Sequence, residues 1–165
     1  MTEKIIDGKK VSAEIREKIK KFGDLLKEES GRTPGLAVVL VGENPASQVY
    51  VRNKIEKTKE VGFKSIEHKL DENVTEEKLL SVVNELNNDE NVQGILVQLP
   101  LPKHINADLV LDTIKPVKDV DGFHAENVGK LWSGLNSLGP CTPLGCSILL
   151  KKLNPDLSGK NAVII

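Results

Sequence analysis

The sequence predicts an α/β fold: a mostly parallel sheet with flanking helices, packed in three layers. Three observations carry that reading. Amphipathic helical stretches alternate with short apolar runs from about residue 9 to residue 97. The runs Leu36-Ala-Val-Val-Leu-Val41 and Gly94-Ile-Leu-Val97 lack polar alternation, as strands covered on both faces require. The segments joining successive strands are long enough to hold a helix, the crossover that parallel neighbours need.

Each element has a local cause. Val11, Ile15, Ile19, Phe22 and Leu26 recur at helical spacing, giving a first helix over about residues 9–29 that Gly31 and Pro34 end. The Leu36–Val41 strand follows. Asn44 can cap free amides and Pro45 is pre-set for the first helical position, so a helix runs from there to about Val61. Ile66, His68 and Leu70 alternate with Ser65, Glu67 and Lys69, a half-exposed strand. Thr75 caps a third helix, with Val74 and Leu79 placed as a hydrophobic staple and Leu79, Val82, Val83 and Leu86 as its buried stripe. The Gly94–Val97 strand stops at Gln98 and the Pro100/Pro102 pair. Pro116–Gly129 is polar and rich in small residues yet carries Phe123 and valines as anchors, which suggests a folded loop holding side chains for a ligand. Thr142 as cap and Pro143 as first helical residue open a helix to about Leu153, and a turn at Leu157–Asn161 leads into a final strand, Ala162-Val-Ile-Ile165.

Composition excludes several function classes. Hydrophobic residues are 39% and charged residues 28%, with a net charge of −1 that is not segregated. No electrostatic footprint for nucleic acid or an anionic membrane is expected. No apolar run approaches the ~20 residues that span a bilayer, and Met1–Lys10 lacks the apolar stretch of a signal peptide. A cytoplasmic location is expected, with Cys141 and Cys146 as reduced, unpaired thiols. His68, His104 and His124 are scattered, so no metal site is expected.

In open α/β sheets ligands bind beyond the carboxyl ends of the strands. Ser47, Tyr50 and Lys54 follow the first strand at i, i+3 and i+7, stacking a hydroxyl, a phenol and an amine along one helix face. Gln98 ends the third strand, and the 116–129 loop is placed to close over both. A lysine in a partly apolar pocket can lose its proton and then accept one, with Gln98 orienting the amine. Tyr50 offers a flat face, and Asp121 can accept two hydrogen bonds from an amino-pyrimidine type of edge. Plainer readings stand beside these. Tyr and Lys four apart on a helix usually form a solvated face. Tyr-x-x-x-Lys also occurs in short-chain dehydrogenases, but no glycine-rich strand–turn–helix precedes it here. Asp119-Val-Asp121-Gly begins like a calcium loop, but its twelfth position is Lys130 rather than Glu.

Together the segments resemble the bifunctional methylenetetrahydrofolate dehydrogenase/methenyltetrahydrofolate cyclohydrolase family. The resemblance lies in Ile6-Asp-Gly-Lys9, Val41-Gly-Glu-Asn-Pro-Ala-Ser-Gln-Val-Tyr-Val-Arg-Asn-Lys54, Gly94-Ile-Leu-Val-Gln-Leu-Pro-Leu-Pro102, Pro116-Val-Lys-Asp-Val-Asp-Gly-Phe-His124 with Asn127 and Gly129, and Pro140-Cys-Thr-Pro-Leu-Gly145. It implies one-carbon metabolism: NADP-dependent oxidation of 5,10-methylenetetrahydrofolate to the methenyl form, then hydrolysis to 10-formyltetrahydrofolate, feeding purine and amino-acid biosynthesis. Lys54 would be the acid–base residue, Tyr50 would pack on the aminobenzoyl ring, Gln98 would tune Lys54, and Asp121 would bind the pterin edge. Ser47 would support them by hydrogen bonding, with Val97, Leu99 and Pro140 lining the substrate site. Cys141 and Thr142 would approach the cofactor, Cys141 being equally explained by packing. The family pattern implies a folate-binding domain over residues 1–140, a linking helix over 141–156, and at 157–165 the first strand of an NADP-binding Rossmann-type domain whose remainder is missing. A homodimer is implied as well. The alternative is a non-catalytic folate-binding or dimerising fragment.

Overall fold

The computed structural model describes residues 5–164; the expectations for Met1–Lys4 and for Ile165 lie outside the described residues. Six helices and three strands follow one another as α1 (Gly8–Ser30), β1 (Gly35–Val41), α2 (Pro45–Glu60), β2 (Lys64–Leu70), α3 (Glu76–Asn88), β3 (Gly94–Val97), α4 (Ala107–Thr113), α5 (Ala125–Trp132) and α6 (Cys141–Leu153). The strands form one parallel sheet in the order β2-β1-β3, with Val39 of β1 paired to His68 on one side and Val97 on the other.

Side chains of the central strand alternate between two cores. Ala37, Val39 and Val41, joined by Ile95 and Val97, pack with Leu79, Val82, Val83 and Leu86 of α3 and Val110 of α4. Val38, Leu40 and Leu96 face the other way, onto Val51 of α2. The helix α1 lies on this second side, where Arg16 donates to Glu60 of α2 at 2.8 Å. In turn α6 joins α1 through a 2.9 Å Lys152–Glu14 ion pair. Neither α1 nor α6 buries a residue completely. Among the described residues no helix is long and apolar enough to cross a membrane.

The helix starts follow their caps. Asn44 Oδ1 accepts from Ser47 N, and Thr75 Oγ1 accepts from Lys78 N. Four features differ from expectation. Two short helices emerge: Asn106 caps α4 by accepting from Asp108 N and Leu109 N, and α5 replaces the second half of the predicted 116–129 loop. There His124 Nδ1 accepts from Glu126 N, a cap easily overlooked in a histidine. Helix α6 starts at Cys141 rather than after Thr142, with Pro140 at the cap and no side-chain capping bond. Pro143 is tolerated in its first turn because amides there have no intrahelical partner. Residues 162–164 form no strand; among the described residues no strand lies beside them to pair with, and Val163 and Ile164 are exposed.

Candidate active site

At the carboxyl end of β1 the chain turns through Gly42, whose φ of 75° favours glycine, and enters α2. Val51 of α2 packs under the sheet, and this seats Lys54 half-buried beside the end of β3. Lys54 Nζ donates to Gln98 Oε1 at 3.0 Å. Gln98 is held at both ends. Its backbone N donates to Val39 O at 2.8 Å, continuing the ladder beyond β3, and its side-chain Nε2 donates to Leu99 O at 2.7 Å. With the amide nitrogen committed to a carbonyl, the amide oxygen is the atom left to face the lysine.

A second segment closes the site. Ile95 N donates to Lys118 O at 2.8 Å and Asp119 forms a parallel bridge with Ile95, so residues 118–119 run as a short continuation of the sheet. Beyond them the chain turns sharply and presents half-buried Asp121. Burial pushes the Asp121 carboxyl above the usual carboxylate range; the nearby Lys54 ammonium opposes that shift and the Asp119 carboxylate adds to it. Cys141 lies against the same turn, its Sγ donating to Val120 O at 3.2 Å. Burial, followed by the charge of Asp121, pushes its thiol up, which argues against a thiolate nucleophile.

Lys54, Asp121 and Cys141 line a groove of about 520 Å³ that runs from Lys54 toward the starts of β1 and β3 at Gly35 and Gly94. Its wall is largely apolar, from Leu36, Val61, Phe63, Leu96 and Val120, with Arg16 and Lys57 also lining it. A larger depression of about 880 Å³ lies on the β2 side of the sheet. It is lined by charges of both signs, including Arg52, Glu56, Glu67 and Lys69, and its Lys69 amine is paired with the Glu67 carboxylate at 3.2 Å on the exposed edge strand β2.

The structure separates some residues that spacing had stacked together. Ser47 is buried, Lys54 is half-buried, and Tyr50 is 60% exposed. At about 100° per residue, seven positions bring Lys54 within about 20° of Ser47, whereas three leave Tyr50 about 60° away. Tyr50 is therefore on the rim. Val97 turns its side chain into the α3 core, so only its backbone can border the groove. Leu99, half-buried, offers the carbonyl that orients Gln98 and is joined to Pro100 by a cis peptide bond. Pro140 is half-buried before α6, and Thr142 is exposed in its first turn. Among the described residues no group of three or more His, Cys, Asp or Glu is arranged to hold a metal ion.

Two buried polar residues have no counterpart in the sequence-based site. Asp119 is 2% exposed: its Oδ1 accepts from Gly122 N at 3.1 Å, and its Oδ2 accepts from His124 N and Asn127 Nδ2, both at 2.9 Å. Asn127 is likewise buried and also donates to Pro116 O at 2.8 Å. The available signal was an Asp two positions before a second Asp that itself precedes a glycine, a local pattern suited to accepting backbone amides.

Comparison with known proteins identifies the family of the chain. Residues 6–121 match the family model described as the catalytic domain of tetrahydrofolate dehydrogenase/cyclohydrolase. The chain is 56% identical over its whole length to Bifunctional protein FolD 2 of Roseobacter denitrificans, of which it spans 55%. A crystal structure of the bifunctional FolD enzyme of Campylobacter jejuni superposes with a TM-score of 0.91 at 52% identity, over 94% of this chain and 55% of that one. The Trypanosoma brucei methylenetetrahydrofolate dehydrogenase-cyclohydrolase, complexed with NADP cofactor and inhibitor, gives a TM-score of 0.91 at 37% identity, over 94% of this chain and 54% of that one. The chain thus spans about half the length of the relatives it matches. It belongs to the tetrahydrofolate dehydrogenase/cyclohydrolase family and corresponds to that family's catalytic domain.

Proposed function

We propose that this chain carries the folate-binding and acid–base site of an enzyme of one-carbon metabolism that interconverts methylene-, methenyl- and 10-formyltetrahydrofolate. The observation that carries this reading is the Lys54–Gln98 hydrogen bond beside the end of β3, with Asp121 lining one groove with Lys54. Asp121 accepts hydrogen bonds from the amino-pyrimidine edge of the pterin, and Tyr50 on the rim packs against the aminobenzoyl ring. Ser47, the Val97–Leu99 backbone and Pro140 complete the surroundings. The pterin is flat and largely apolar on its faces, as is the groove wall.

In the hydrolytic direction water adds to the methenyl carbon. Lys54 takes a proton from that water, and the neutral adduct then loses its hydroxyl proton to N5 as the C–N5 bond breaks. The formyl group stays on N10, and one proton per turnover is released. Gln98 keeps the Lys54 amine directed at the reacting carbon, so proton transfer occurs within a fixed geometry. In the oxidative direction a bound NADP would supply the hydride acceptor, and Lys54 would help to position the methylene carbon. We assign to Cys141 and Thr142, in the first turn of α6, the approach to that cofactor; among the described residues no glycine-rich strand–turn–helix is present for its diphosphate. Hydride transfer is therefore not assigned to these residues. We extend the proposal to a folate domain over 1–140 with α6 as its linking helix, and to a homodimer.

The test is hydrolysis of 5,10-methenyltetrahydrofolate by this chain, followed as loss of its absorbance. Lys54→Ala is expected to lower turnover by about 10²–10⁴-fold, the usual worth of a general acid–base group. Turnover unchanged in Lys54→Ala would refute the assignment. Tight folate binding with no turnover in the parent would reduce the chain to the alternative, a folate-binding fragment.

A further inference from the structure

We infer that Asp119 is a positioning residue, whose buried carboxylate gathers the amides of Gly122, His124 and Asn127 and thereby holds the turn that aims Asp121 into the groove. The inference rests on the assignment of Asp121 to the pterin edge. Its first support is chemical. The three donors to Asp119 are all neutral N–H groups. A carboxylate that is 2% exposed is costly unless such bonds offset its desolvation. An ionised carboxylate is acceptor-only at both oxygens and can take all three donors; an asparagine there would turn its own amide hydrogens toward one set of them.

The second support is topological. Asp119 is anchored beside Ile95, while its partners come from the chain after Asp121, at Gly122 and His124 and from α5 at Asn127. The bonds close a loop of which Asp121 is the apex. A third restraint backs the apex: a Cβ on Gly122 would sit 2.6 Å from Gly139 C, and φ there is 70°. With the backbone pinned behind it, Asp121 lines the same groove as Lys54. The two carboxylates thus divide the work, one satisfied by the protein's own amides and the other kept open for a ligand.

The experiment is a double-mutant cycle on tetrahydrofolate binding by the full chain, using Asp119→Asn, Asp121→Ala and the pair. Asp119→Asn is expected to weaken binding by about tenfold, the worth of a hydrogen bond to a charged group. In the Asp121→Ala background the same change is expected to cost less than about twofold, because the group it positions is gone. Parent-like binding by Asp119→Asn would overturn the inference, and so would losses that multiply in the double variant, since a general structural defect does not depend on Asp121. The assignment of Asp121 itself fails separately, if Asp121→Ala alone binds like the parent. Should Asp119→Asn not fold, Asn127→Ala removes one donor and leaves the carboxylate. It is expected to cost about threefold, again only when Asp121 is present, and an equal loss without Asp121 would overturn the inference.

Discussion

The two faces of the sheet are built to different standards. On the α3/α4 side, thirteen buried residues form a continuous core with Leu79, Val83, Ile95 and Val110 fully enclosed. On the α1/α2 side the buried apolar cluster is just Val38, Leu40, Val51 and Leu96, with Ser47, Thr58 and Val61 buried along α2 and at its end, and neither α1 nor α6 buries a residue completely. Every charged member of the candidate site lies on that thinner side or at its edge. Close packing leaves no room for a ligand, and a groove large enough for a pterin must be lined by residues that the fold does not need for cohesion. The dense face supplies stability, and the open face spends some of it.

The sharpest break of this comparison is a matched pair of truncations. Leu79→Ala, at 0% exposure, is expected to cost about 2–5 kcal/mol of unfolding free energy. Phe22→Ala on α1, 76% exposed, should stay within about 0.5 kcal/mol. Urea unfolding midpoints read both, and comparable losses would mean that α1 packs as tightly as α3.

A smaller effect probes how the dense face handles a polar group. Asn87 is buried in α3, donating to Thr113 O at 2.7 Å and accepting from Lys115 N at 2.8 Å, so one amide ties α3 to the end of α4. Asn87→Ala strands both backbone groups and should cost about 1–3 kcal/mol. A cost near zero would show that water reaches this joint and that the core is looser there than its neighbours imply.

The same contrast explains what could be read from the sequence. Buried strands and α3 announce themselves through apolar runs and periodicity, and Asn44-Pro45 and Thr75 mark helix starts through chemistry confined to a few residues. The nearness of Lys54 and Gln98 was also legible, because both positions follow from where strands end in a parallel sheet. Other features depend on distant partners. Seven-residue α4 is too short for a periodic signal, and α5 hides in a segment whose polarity mimics a loop. Asp119 and Asp121 look alike as letters, yet one is enclosed by amides and the other faces the groove. Only the bridge to Ile95 and the close approach at Gly122 distinguish them.

The smallest expected effect concerns stability at Asp121 and tests whether the open face carries a cost. Desolvation outweighs the attraction of Lys54, so the folded chain holds the Asp121 proton to higher pH than the unfolded chain, whose carboxyl titrates near 3.8. The stability that this group contributes is fully present below that unfolded value and is lost as pH rises through the raised folded one. Above it, the ionised carboxylate is a net burden on the fold. Asp121→Asn stays neutral throughout, so its urea midpoint should exceed the parent's near neutral pH and the gap should close on acidification toward the unfolded value. A gap that is constant with pH, or of opposite sign at neutrality, would mean that Lys54 compensates the charge after all. If the gap behaves as expected while folate binding is lost, Asp121 is a charge kept for a ligand at the expense of the fold, the trade that functional sites commonly make.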